Sequence, residues 1–107
     1  MVIDQYGIVL VDLDRPGSAE MGYVRPCVIV SPDEMNRYLR TVVVVPMTTR
    51  ARTYPTRVRV RHNKKTGWIA VDQITTIDRK KIKKHLGKLT SPEIRKLKAV
   101  IKETYVE

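Results

Sequence analysis

"YGIVLVDLD", residues 6–14, runs Ile8 to Val11 as an unbroken apolar stretch between a Tyr-Gly pair and two aspartates. Rich in β-branched residues and bounded by turn residues, it reads as a buried strand. Two more runs of the same kind follow: "CVIVS" (27–31) and "TVVVVPM" (41–47). "TRVRVRH" (56–62) alternates strictly, which turns Val58 and Val60 inward and Arg57, Arg59 and Arg61 outward. "NKKTG" (63–67) supplies a turn, and "WIAVDQI" (68–74) reads as the next strand. The period then changes. Thr90-Ser91-Pro92-Glu93 offers a cap residue, a first-turn proline and an acid near the positive helix end. Ile94, Leu97 and Ile101 fall on one face beyond it, predicting an amphipathic helix of about four turns. "DRKKIKKHLG" (78–87) reads as a shorter basic helix stopped by Gly87. Five short strands and a closing helix predict a mainly β chain, a small antiparallel SH3-like barrel packed by its C-terminal amphipathic helix.

The chain has 107 residues, which suits one domain over 1–107 with a modest core. Dimerisation would add buried surface. Lys and Arg number 21 against 11 Asp and Glu, a net charge of +10. Met35 to Val71 contains no acid but nine cations: Arg37, Arg40, Arg50, Arg52, Arg57, Arg59, Arg61, Lys64 and Lys65. Such a field attracts polyanions, nucleic acid above all. Cys27 is the only cysteine, so no intrachain disulfide can form, and it reads as a small packed hydrophobe. With no signal peptide evident, the expected compartment is the cytoplasm. The apolar runs are too short to span a bilayer, so no membrane partner is expected.

Metal chemistry has little to stand on. Cys27, His62 and His85 lack zinc-site spacing, and Asp12 and Asp14, at i, i+2, read as the solvent face of an edge strand. No phosphate-cradling glycine loop is present. No metal and no cofactor is expected. A histidine pair could shuttle protons at neutral pH, and His62, ending the Arg/Val strand, could touch a phosphate, but both His62 and His85 read as surface residues. A different set stands out. Pro26 holds Arg25 at a stiff corner. Pro46-Met47-Thr48-Thr49 ends a buried strand with two hydroxyls at the lip of a loop, and Asp72-Gln73 places the first acid after the acid-free stretch.

The order of "YGIVLVDLD", "GYVRPCVIVS", "VVVVPMTTRARTYPTRV" and "WIAVDQITTID" resembles the MazF/PemK family of toxin endoribonucleases, and "GKLTSPEIRKLKAVI" is similar to that family's closing helix. The resemblance covers nearly the whole chain. It implies a homodimer of CcdB/MazF/PemK-like barrels that cuts single-stranded RNA at short motifs without a metal. It also implies a cognate antitoxin whose acidic tail covers the site. Carried over residue by residue, the implied catalytic set is Arg25, Thr48, Asp72 and the loop acid Glu20. Some relatives carry an arginine two residues before the strand carboxylate; Ala70 stands there in this chain, leaving any acid role at that position vacant.

In the implied reaction the RNA 2′-hydroxyl attacks its own phosphorus, giving a 2′,3′-cyclic phosphate and a 5′-hydroxyl. Arg25 suits phosphoryl charge, its guanidinium forming a planar fork on phosphate. Thr48 can donate to the same group, and either Asp72 or Glu20 can serve as base. Arg57, Arg59 and Arg61 are expected to bind backbone beside Thr49 and Gln73, with Tyr54 stacking on bases and Trp68 either stacking or packing. Two other readings fit a basic barrel: a CcdB-like toxin that poisons DNA gyrase without cutting, and an RNA-binding module without chemistry.

Overall fold

The computed structural model describes residues 2–13, 23–50 and 54–106. The apolar runs form β1 (Gly7–Leu13), β2 (Tyr23–Ile29) and β3 (Thr41–Thr48). The alternating segment forms β4 (Arg57–His62), followed by β5 (Lys65–Ala70), β6 (Thr75–Asp78) and β7 (Ile82–Lys88). Two helices complete the order, α1 (Asp33–Tyr38) and α2 (Ser91–Ile101), the latter prolonged by a π-helical turn over Lys102–Val106. Every pairing is antiparallel, in the order β4-β5-β3-β2-β1-β7, with β6 also on β3. β3 is the shared member. It gives its first half to β6, Val44–Pro46 to β2, and Met47 and Thr48 to β5. That handover curls the sheet into an open half-barrel.

Two apolar layers form on the opposite faces of the curled sheet. Ile8, Val28, Val45, Val58, Val60 and Ile69 pack inside with Leu97 of α2. Val9, Val11, Cys27, Ile29 and Val44 pack with Ile77 and Ile82. The central strands are apolar on both faces, which explains their unbroken runs. α2 begins as expected: Thr90 accepts from the Glu93 amide, and Glu93 Oε1 accepts from the Thr90 amide at 2.9 Å, a complete capping box. Glu93 Oε2 also accepts from the Arg61 amide at 3.0 Å, tying the helix start to the edge of β4.

Several expectations are corrected. Residues 78–87 form no basic helix: Arg79–Lys81 make one 3-10 turn, and Ile82–Lys88 pair with β1. Ile82 and Leu86 are four apart, a spacing that suits strand parity as well as a helix, and the free edge of β1 decides for the strand. "WIAVDQI" is strand only as far as Ala70; Val71–Gln73 turn into a 3-10 helix. Among the described residues the strands number seven, not five. The turn after β4 is only Asn63-Lys64, both at positive φ (50° and 63°), as a two-residue hairpin loop demands. α1 was missed altogether. Among the described residues no helix is long and apolar enough to cross a membrane.

Candidate active site

Arg25 lies in extended geometry inside β2, opposite Val11, rather than at a corner. Its Nη2 donates to the Met47 carbonyl at 2.8 Å, and its guanidinium carbon stands 5.7 Å from the Tyr23 ring centroid. Among the described residues, that hydrogen bond and that aromatic face are what hold the fork, and a guanidinium has five N–H donors to offer an anion. Thr48 ends β3 one residue after the carbonyl that holds Arg25. Its Oγ1 accepts from the Arg50 amide at 3.2 Å, which occupies a lone pair and frees the hydroxyl proton to donate.

Arg25, Thr48 and Thr49 line one cavity of about 400 Å³, together with Arg50, Lys65 and His62. That is within the usual size of a small-ligand pocket. Arg25 also lines a second cavity of about 480 Å³, together with Gln73, Thr75 and Thr76. It is therefore a wall of both cavities. Pairing across β3, β5 and β4 sets Thr48, Trp68 and Arg59 in a single cross-strand row. Trp68 is half-buried on that row, while its neighbour Ile69 enters the core.

Asp72 is not brought to this place. It lies on the 3-10 turn after β5, where Oδ1 accepts from the Thr56 hydroxyl at 2.9 Å and Oδ2 accepts from Arg57 Nη2 at 3.2 Å. Arg57 Nε stands 3.1 Å from Oδ1, completing an ion pair. Arg57 is thus no free outward cation: its side chain is largely buried and its guanidinium lies 5.6 Å from the Tyr54 ring. The Tyr105 hydroxyl donates to the Val71 carbonyl at 2.7 Å and so helps to hold the turn. Arg59, Arg61, Tyr54, Gln73 and Thr49 are exposed. Glu20 and Asp14 lie outside the described residues. His85 is exposed as expected, but His62 is half-buried. Strand parity was the available signal, since position 62 shares the inward face of Val58 and Val60.

Among the described residues no three His, Cys, Asp or Glu side chains gather as a metal site requires. Cys27 is fully buried; burial pushes its thiol up to about 12, with the nearby Arg25 charge pulling the other way.

Residues 4–105 match the family model of PemK-like, MazF-like toxins of type II toxin–antitoxin systems. The chain belongs to that family. A mycobacterial endoribonuclease solved in complex with its cognate antitoxin is 28% identical, with a TM-score of 0.81 over 94% of this chain and 92% of that one. A second mycobacterial endoribonuclease is 25% identical, with a TM-score of 0.77 over 96% and 90%. MazF from Deinococcus radiodurans, at 21% identity, shares the fold with a TM-score of 0.81 over 96% of both chains.

Proposed function

We propose that this MazF-like toxin cuts single-stranded RNA at short sequence motifs, without a metal or cofactor, by attack of the substrate's own 2′-hydroxyl on phosphorus. As a member of its family it is an endoribonuclease; the observation that supports the finer reading is the convergence of Arg25 and Thr48 on one cavity. The Met47 carbonyl and the Tyr23 ring hold the guanidinium in place before substrate arrives, and such preorganised donors stabilise charge that develops on phosphoryl oxygens. Thr48 adds a neutral donor. Glu20 takes the 2′-hydroxyl proton, because the Asp72 carboxylate is engaged by Thr56 and Arg57.

RNA follows the Thr48, Trp68 and Arg59 row, its phosphates meeting Arg59 and Arg61 and its bases stacking on Trp68 or Tyr54. Gln73 and Thr49, each lining a cavity with Arg25, contact the flanking nucleotides. The active form is a homodimer that joins two acid-free surfaces into one groove. A cognate antitoxin with an acidic tail occupies the same groove, placing carboxylates where phosphates go. The cell compartment is the cytoplasm. Incubation of the purified protein with a long transcript in excess EDTA tests the reading. Discrete fragments bearing 5′-hydroxyl ends are expected; 5′-phosphate ends, or cleavage only on addition of Mg²⁺, would overturn it.

A further inference from the structure

The cavity that holds Arg25 and Thr48 also presents an imidazole to which no role has been given. His62 closes β4 on its inward face, and its ring lies against the backbone of Gly87 in β7. A Cβ at Gly87 would stand 2.8 Å from His62 Cε1, so glycine is what makes room for the ring. Nε2 is shielded from solvent and has no hydrogen-bond partner among the described residues. Native folds leave few buried polar atoms unpaired, and each one left calls for a reason.

Charges of both signs face this ring. Glu93 of α2 is held by the Thr90 and Arg61 amides close to His62. Burial acts to raise the Glu93 carboxyl, but those hydrogen bonds and the nearby imidazole outweigh it and leave it below its ordinary range. The opposing cations are Lys65, paired with His62 across the hairpin, and Arg25 and Arg50 on the other cavity walls. Tyr23 adds a phenol to the same lining. On β7 the facing residue is Gly87, with His85 two residues before it and Lys88 next to it, both exposed.

We propose that His62 is the general acid of RNA cleavage, giving its proton to the departing 5′-oxygen. This rests on the ribonuclease reading above. The 2′-oxygen bonds to phosphorus as its proton passes to a carboxylate or water. The bond from phosphorus to the 5′-oxygen breaks, its electron pair stays on that oxygen, and the imidazolium proton joins it. A cyclic phosphate, a 5′-hydroxyl and a neutral His62 remain, and after product leaves, water in the cavity reprotonates the ring on the face that lines it. A guanidinium does not readily fill this role because it holds its proton far above neutral pH, whereas imidazole as a class exchanges one near neutrality.

The test uses the full-length toxin and two oligonucleotides carrying its mapped cut site. One is ordinary RNA; the other has sulfur in place of the bridging 5′-oxygen, so its leaving group departs without a proton. His62→Gln should lose about 10²-fold or more on the oxygen substrate, within the range of general acid catalysis, and little on the sulfur one. Wild-type enzyme gives a second reading that needs no variant. Its rate on the oxygen substrate should fall above the His62 pKa, located by NMR titration, and that fall should vanish with sulfur. Equal losses of His62→Gln on both substrates, an unchanged rate, or one alkaline limb shared by both substrates would each overturn the assignment. Wild-type protein that cuts no RNA would overturn the ribonuclease reading and this inference together, whereas full activity in His62→Gln removes His62 alone.

Discussion

Replacing Glu93 by alanine removes a carboxylate that closes the fold at two points. Oε1 holds the Thr90 amide at 2.9 Å, and Oε2 holds the Arg61 amide at 3.0 Å. Loss of a helix cap costs about 1 kcal/mol. The bond to Arg61 has a charged acceptor, a class worth about 1.5–3 kcal/mol when buried. Glu93 is half-buried, so water can replace part of it, and about 1 kcal/mol is the fair share. The sum, about 2 kcal/mol, is large beside a total on the order of 5–15 kcal/mol. For a domain of this size it lowers Tm by about 10 °C. The pH dependence follows from the direction of the shift. Glu93 titrates below its ordinary value of 4.5 when folded, so its stabilisation is fully present above that value and is lost as pH falls through the folded pKa. Thermal melts of both proteins from pH 7 to pH 3 check this: the gap should be widest at neutrality and close in acid. No gap at pH 7, or one unchanged at pH 3, would refute the reasoning.

Asp72→Asn should leave RNA cleavage within about tenfold of wild type in single-turnover assays, because its carboxylate serves Arg57 and Thr56 away from the cavity; a loss of about 10² or more, the scale of a lost general base, would place it in the reaction. Cys27 should resist iodoacetamide at pH 8 in the native protein and react once denaturant is added, since burial keeps it a thiol; mass spectrometry showing rapid native labelling would mean that β2 opens readily. RNA affinity should fall with salt, with a slope near 0.7 per phosphate contacted, and an acidic peptide should compete with RNA; a salt-independent affinity would deny the basic track.

The strands at the centre of the sheet were legible because they are buried on both faces, which leaves continuous β-branched runs around Val9, Val28 and Val44. α2 was legible through its capping box and the Ile94, Leu97 and Ile101 spacing. β6 and β7 were not, for reasons in their residues. β6 buries only Ile77, too little for a pattern, and β7 carries lysines along a strand whose apolar pair is four apart. α1 buries only a polar residue, Asn36, whose amide donates to the Ser31 carbonyl at 2.9 Å, so it has no apolar stripe to read. In the site, Arg25 next to Pro26 and Thr48 after Pro46-Met47 stood out in the sequence, and the fold brings both to one cavity. The Arg57–Asp72 pair was not, because it depends on β5 stopping at Ala70 and turning. His62 was misread although β4's own alternation places it inward.

The role of Arg25 at the phosphate is the claim on which the rest depends, and the rate of RNA cleavage by Arg25→Ala in EDTA tests it most directly. The account predicts a fall of about 10²–10³, the cost of removing one preorganised donor from a developing oxyanion, with circular dichroism and Tm close to those of wild type. A folded Arg25→Ala protein that cuts the same transcript at the wild-type rate would contradict it.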